Sequence, residues 1–284
     1  MKKLLTILVV LMASVSLVSA VNISVRPQFG LGLASGSAYA NNETTIDATG
    51  TKETYKNIYY SLGEGLKLGL DIDLEATENV MVGVGVGYSL GFEKEIGKVV
   101  NNYDDPWLSN DEETKTSSTK FKTSFIPLSL TLKVKKTIGS LTPYAGFGPT
   151  FAIGAKSIGK RDVETVDGTK YYTEWEVSYK LGIGFHGIIG VEYGLSDNLA
   201  CFLQARVDQI SLKLDKSKIT KFTVNGQDKL NEAYPTTSDK ETEYVDEYTY
   251  DSTVPPDPNS PIKQLTSTYP ANSVTLALGI ALKF

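Results

Sequence analysis

Apolar residues recur at every second position through eight stretches of the chain. The last stretch, 273–284, is the cleanest. Its even positions are Val274, Leu276, Leu278, Ile280, Leu282 and Phe284, and its odd ones include Thr275, Ala277, Gly279, Ala281 and Lys283. A period of two puts one series on one face of a β-strand and the other on the opposite face. The same pattern predicts strands over 22–34, 58–75, 80–92, 121–135, 141–155, 175–194 and 199–214. Each is long enough for the roughly 9–11 tilted residues that cross a bilayer.

The connections alternate in length. Tight turns rich in Gly, Asn, Asp and Ser follow strands two, four and six at 76–79, 136–140 and 195–198. Long polar loops follow strands one, three, five and seven near 35–57, 93–120, 156–174 and 215–272. Short turns at one end and long loops at the other are the pattern of a transmembrane β-barrel. The predicted fold is therefore all-β, an eight-stranded antiparallel up-and-down transmembrane barrel with long extracellular loops.

Strand three decides which face is outside. It sets Val80, Val82, Val84, Val86, Tyr88, Leu90 and Phe92 against Met81, Gly83, Gly85, Gly87, Ser89 and Gly91. A soluble barrel would spend those glycines on a water-facing surface, whereas a narrow lumen needs small residues. The apolar rows therefore face lipid. Strand four changes parity near Pro127 and strand seven near Asp208–Ile210, which predicts a bulge in each. Glu64 carries lipid-facing parity and is expected at the outer interface. Tyr60, Phe92 and Trp175 at loop ends, with Tyr193 and Phe284 at turn ends, suggest two aromatic girdles.

The first 20 residues read as a signal peptide. Lys2 and Lys3 lead, about nine apolar residues follow, and Val18-Ser19-Ala20 supplies a small-residue cleavage site. That apolar core is too short for a spanning helix, which needs roughly 20 residues. With a single cysteine, Cys201, the chain has no internal disulfide, and its parity directs the thiol to lipid. Losing Lys2 and Lys3 takes the net charge from −5 to −7. That balance opposes nucleic-acid binding, which requires concentrated basic surface.

From the strand count, the loop alternation and the ending Leu278-Gly279-Ile280-Ala281-Leu282-Lys283-Phe284, the chain resembles the small outer-membrane barrels of the OmpA/OmpX type. The resemblance implies residence in the outer membrane of a Gram-negative-type bacterium, among lipid and lipopolysaccharide. It also implies an assembly signal at Leu278, Ile280, Leu282 and Phe284, read by the barrel assembly machinery. With Phe284 last, no peptidoglycan-binding domain is expected.

Candidate chemistry is sparse. His186 is the only histidine and lies on the lumen face. The lipid-modifying relatives pair His with Ser, but Ser178 is eight residues distant, about 26 Å along a strand. One His and one Cys do not make a zinc site. The acidic, Tyr-rich 239–251 lacks the glycine-centred spacing of a calcium loop, and no pattern calls for a cofactor. Asn225-Gly226 signals a hairpin turn inside the fourth loop. Arg26, Lys67, Asp71, Lys133, Lys180, Glu192, Arg206 and Asp208 share inward parity with His186, and buried charges of both signs must pair. They are expected to form a polar plug in a lumen of eight strands. The expected role is non-enzymatic, structural or binding an extracellular protein or surface ligand through the loops. The alternative is a narrow channel for small apolar molecules, with a membrane-embedded lipid-modifying enzyme as the third reading.

Overall fold

The structure is a computed structural model that describes residues 22–36, 38–46, 52–101, 114–249 and 257–284. The expected signal peptide, 1–20, lies outside the described residues. The strands are β1 (Ile23–Ala34), β2 (Ala38–Ile46), β3 (Glu53–Tyr60), β4 (Gly65–Thr77), β5 (Val80–Leu90) and β6 (Lys94–Asn101). There follow β7 (Thr114–Lys135), β8 (Leu141–Thr165), β9 (Lys170–Tyr179), β10 (Gly182–Ser196), β11 (Leu199–Val224) and β12 (Gln227–Asp228). Two single-turn helices, α1 (Leu230–Ala233) and α2 (Thr237–Lys240), precede β13 (Glu241–Val245), β14 (Ile262–Leu265), β15 (Thr268–Pro270) and β16 (Ser273–Lys283).

Eight of these strands close a ring. Antiparallel pairing runs from β1 to β4, β5, β7, β8, β10, β11 and β16, and β16 returns to β1 with Phe29 opposite Leu278 and Leu31 opposite Leu276. The start of β1 and the end of β16 meet at the turn end, where the Phe284 N–H donates to the Ile23 carbonyl at 2.9 Å. Leu276 and Leu278 stand about 60 % exposed on the outside, whereas Ala277 and Ala281 point in and are buried. Val82, Val86, Leu130, Leu132, Ile183, Phe185 and Leu203 continue the exposed apolar belt around the ring. An apolar outside with a polar inside is the reverse of a soluble barrel and fits a bilayer. This is an eight-stranded membrane-spanning β-barrel.

The predicted loops are largely strand. β7, β8 and β11 run on past the belt, and β9 lies between β8 and β11. β6 pairs with β7, β2 with β6, and β3 with β2. Asn225 (φ 49°) and Gly226 (φ 81°) make the expected turn between β11 and β12. Within the acidic stretch, Glu241–Val245 forms β13, held between β11 and β14. Two predicted strands are split. Strand two breaks at 61–64, where Gly65 takes a φ of +138° with Leu90's carbonyl packed too close for any Cβ. Glu64 lies in that break and pairs with Lys94 at 2.7 Å, so its charge sits at the rim and not against lipid. Strand six breaks at Lys180–Leu181 into β9 and β10.

The two expected bulges are absent. Thr123, Phe125, Ser129, Thr131 and Lys133 of β7 are all buried, and so are Phe202, Gln204, Asp208, Ile210 and Leu212 of β11. Through these residues each strand keeps one parity, and β11 shifts register only beyond them, between Leu214 and Lys216 and between Ile219 and Lys221. Phe125 and Ile210 simply point inwards, into an apolar cluster with Leu62, Val177, Tyr179, Leu212 and Leu214 above the belt. Beside β7 the bulge belongs to β8, which advances from Ile153 to Lys156 while β7 moves from Ile126 to Ser124, with Gly154 at φ +61°. The outer girdle also differs: Tyr60 is buried and Trp175 packs edge-on against Phe121 beside the inner cluster, which leaves Phe92 exposed at that rim. Tyr193, Phe284 and Cys201 are exposed on the outside as expected.

Facing makes a simple prediction. A Cβ on Gly85 falls 2.4 Å from Asp71 Oδ1 and 2.6 Å from Ser129 Oγ, whereas one on Gly187 meets nothing within 4 Å. Gly85→Val overpacks the lumen and costs about 1–3 kcal/mol, and Gly187→Val stays within about 0.5 kcal/mol of the parent. Urea unfolding midpoints in one detergent measure both. Equal effects contradict the assignment of faces.

Candidate functional site

Among the described residues, the lumen is where the fold gathers titratable side chains away from solvent. Its lower half, nearest the turns, is an ion-pair network. Lys133 on β7 donates to both oxygens of Asp73 at 2.7 and 2.8 Å, and its Nζ is 3.8 Å from Asp71. Arg26 on β1 contacts Glu192 at 3.2 Å and Asp73 at 3.5 Å. Lys283 reaches Glu192 from the rim at 2.6 Å. Three cations thus face three carboxylates, and Arg26, Lys133 and Asp73 are at most 1 % exposed. So deep a set of charges is tolerable only when balanced, because each unpaired ion costs several kcal/mol.

Packing and neutral hydrogen bonds complete this layer. The Arg26 guanidinium lies between two rings, 4.3 Å from the Phe202 centroid and 4.8 Å from that of Tyr144. Stacking accommodates the planar cation where few acceptors reach it. The Tyr144 hydroxyl donates to Gln204 Oε1, Gln204 Nε2 donates to Gln28, and Gln28 Nε2 donates to Asp71 at 3.1 Å. Glycine on β5 makes this layer possible. A Cβ on Gly83 would stand 2.3 Å from Asp73 Oδ1, so the glycine row provides the volume that the carboxylates fill.

A second group lies alongside. Arg206 donates through Nε to both oxygens of Asp208, at 2.9 and 3.1 Å, and through Nη2 to the Thr150 hydroxyl at 3.1 Å. His186 is held by Thr150 at Nδ1 (2.8 Å) and Thr131 at Nε2 (2.9 Å). Because Thr150 accepts from Arg206, its own proton is free for Nδ1. Which of the two ring nitrogens donates follows from the imidazole tautomer. Lys67 stands apart: it donates to Ser89 at 2.9 Å and lies 5.0 Å from the Phe125 ring centroid. Gln28, Lys67, Asp71, Ser129, Arg206 and Thr275 border a cavity of about 60 Å³. At ~10–15 Å³ for each water, it has room for roughly four to six.

The structure thus brings Arg26, Asp71, Lys133 and Glu192 together and places His186, Arg206 and Asp208 beside them. It does not bring in Lys180. The break between β9 and β10 turns this residue to the outside, near Asp246. A hydrogen bond from Lys213, with Lys180 a lesser influence, holds the Asp246 carboxyl below its usual range. Asp73, Gln28, Tyr144, Gln204 and Lys283 belong to the network and were not singled out from the sequence. Asp73 follows Asp71 by two residues on the same face, so the periodicity itself carried that signal.

No protein-family model matches the chain, and no curated protein matches it in sequence. Solved structures similar to it are barrels of low identity. Against the outer membrane protein OprG from Pseudomonas aeruginosa the identity is 12 %, the TM-score 0.43, and the match covers 93 % of this chain and 96 % of that one. Neisserial surface protein A gives 10 % and 0.33, covering 93 % and 97 %. The outer membrane protein AlkL, solved in lipid bilayers, gives 14 % and 0.31, covering 92 % and 90 %. At these identities the likeness concerns architecture alone.

The network predicts an ordering of mutants. Lys133→Ala leaves Asp73 and Asp71 facing each other without their shared cation, a loss of about 3–5 kcal/mol. Arg206→Ala costs less, because water in the adjoining cavity can hydrate Asp208. The surface control Lys240→Ala stays within about 0.5 kcal/mol. Urea midpoints rank the three, and an effect of Lys133→Ala no larger than the control's contradicts the paired network.

Proposed function

We propose that this protein is a non-enzymatic outer-membrane barrel, closed to ions, whose folded extracellular sheet is its working surface. One observation carries the reading. The lumen is filled twice, by the ion-pair network below and by the Phe125–Ile210–Leu212 cluster above, while the strands continue beyond the belt as ordered structure. A conducting pore has no use for either filling. An ordered platform suits contact with another molecule better than flexible loops do, since little ordering entropy is lost on binding.

The loop end is assigned to the outside, because barrels of this class keep short turns on the periplasmic side. The lysines, apolar run and small-residue cleavage motif within 1–20 support export, and the alternation of Leu278, Ile280, Leu282 and Phe284 supports handling by the barrel assembly machinery. On this reading the partners are outer-membrane lipid, lipopolysaccharide and an extracellular protein or surface ligand, and the OmpA/OmpX type is its place among barrels. His186 commits both nitrogens to threonines inside the lumen, a position unsuited to modifying lipid outside.

A second reading is a conduit for small apolar molecules. The side cavity favours it. Gly87 and Pro127 border that cavity, and the ladder between β5 and β7 has no paired residues between Val86–Leu128 and Ser89–Phe125. Proline cannot donate to a ladder, so the barrel wall is weakest there.

Planar-bilayer recording separates the readings. The closed platform shows no single-channel steps, and proteoliposomes containing it pass small apolar solutes no faster than empty ones. Solute flux that Gly87→Trp abolishes would establish the conduit instead. Intact cells supply the orientation: an epitope within 166–168 is reached by antibody from outside, and one at Asp197 is not.

A further inference from the structure

Above the apolar belt, the outward face of the β7–β8–β9–β11 wall carries three rows of lysine. In the row nearest the belt, Ser124, Lys156, Ser178 and Lys216 are cross-strand neighbours. The next row runs Lys122, Ile158, Glu176, Lys218. The third runs Lys120, Lys160, Glu174, Lys221. The intervening residues Thr123, Ser157 and Val177 are buried on the inner side, which fixes the lysine rows as the outer face. Seven lysines share this wall with two carboxylates, in a chain whose net charge is −5.

Neutralisation accounts for part of the charge. Lys160 pairs with Glu93 at 2.6 Å and Lys218 with Glu241 at 2.8 Å, while Lys221 lies over the Tyr172 ring. Among the described residues, Lys120, Lys122, Lys156 and Lys216 have no carboxylate within 4.0 Å, although Glu243 of β13 is the cross-strand neighbour of Lys216. Rows two residues apart are spaced about 6.6 Å. The headgroup layer of one leaflet is roughly 5–8 Å deep. Lys156 follows directly on the belt residues Ile126 and Ile153, and on β11 the polar residues Gln209, Ser211 and Lys213 lead from the belt residue Val207 up to Lys216, so on the β7–β8 side the first two rows lie at headgroup height. Aromatic side chains usually mark that level, yet on this wall Phe121 and Trp175 turn inwards and lysine takes the outer positions.

We propose that this lysine wall docks the phosphate groups of the lipid headgroups around the barrel, holding a fixed shell of phosphorylated lipid along one side. The proposal rests on the membrane placement proposed above. Height, continuity with the belt and charge complementarity select this occupant. A soluble acidic partner would have no reason to favour the row that abuts lipid.

Spin-labelled lipids test it in vesicles of phosphatidylcholine holding the full chain. The wild type should associate with labelled phosphatidic acid several-fold more strongly than with labelled phosphatidylcholine, and about 0.5 M salt should weaken that preference. A lysine beside an anionic surface is worth roughly a factor of five. Lys122→Gln/Lys156→Gln/Lys216→Gln should therefore bring the ratio close to one. Arginine at the same three positions should retain the preference, and so should the control Lys229→Gln/Lys240→Gln, on the helices that follow β12. A wild-type ratio of one overturns the proposal, as does a preference that survives the triple glutamine variant. Abolition by 10 mM inorganic phosphate would assign the wall to free anions and equally overturn it. Failure of the chain to insert at all would defeat the membrane reading, and this inference with it.

Discussion

Everything in this protein depends on one constraint: in a bilayer, every backbone N–H and C=O must find its partner within the protein. A strand satisfies that need only through its neighbours, so the sheet must close. The pairing of β1 with β16 is the closing contact, and the hydrogen bond between Phe284 and Ile23 seals its lower end. Closure at eight strands then sets the lumen width, and that width sets what fills it. Small residues alternate on the inside because large ones on every strand would not fit.

The lumen solves two packing problems at different heights. Within the belt, the fold spends its inner volume on charge. Glycines on β5 give way to Asp71 and Asp73, and Lys133 and Arg26 neutralise them. Towards the loop end the same strands enclose an apolar core, which begins at the upper edge of the belt. The transition falls near Phe125 and Ile210, and the small cavity lies just beneath it.

Alternation made the fold legible. The eight spanning strands, their faces and the short turns all follow from a period of two, as does most of the charge network. Where the reading failed, one assumption failed: that the inside is polar throughout. Phe125, Ile210 and Leu212 looked like parity breaks because they are apolar, yet they keep the inward parity of their strands. The bulge on that wall sits at Gly154, where a glycine between apolar neighbours gave no periodic signal. Lys180 departs from the inward parity of its strand because a break separates β9 from β10, and Gly182 beside it is one of several glycines on that strand and so marks no break by itself. Polar composition likewise concealed the strands of the long loops, whose outward lysines and acids lie opposite a buried face that composition alone does not reveal.

The central claim is that the even positions of β16 face lipid and the odd positions face a closed lumen. A nitroxide scan of residues 274–280 in bilayers, on a Cys201→Ser background, tests it directly. Collisions with oxygen, which concentrates in lipid, should peak at 274, 276, 278 and 280. The odd positions should be shielded from both oxygen and a water-soluble nickel chelate. The opposite phase, no alternation, or strong nickel access at 275, 277 and 279 would contradict the account.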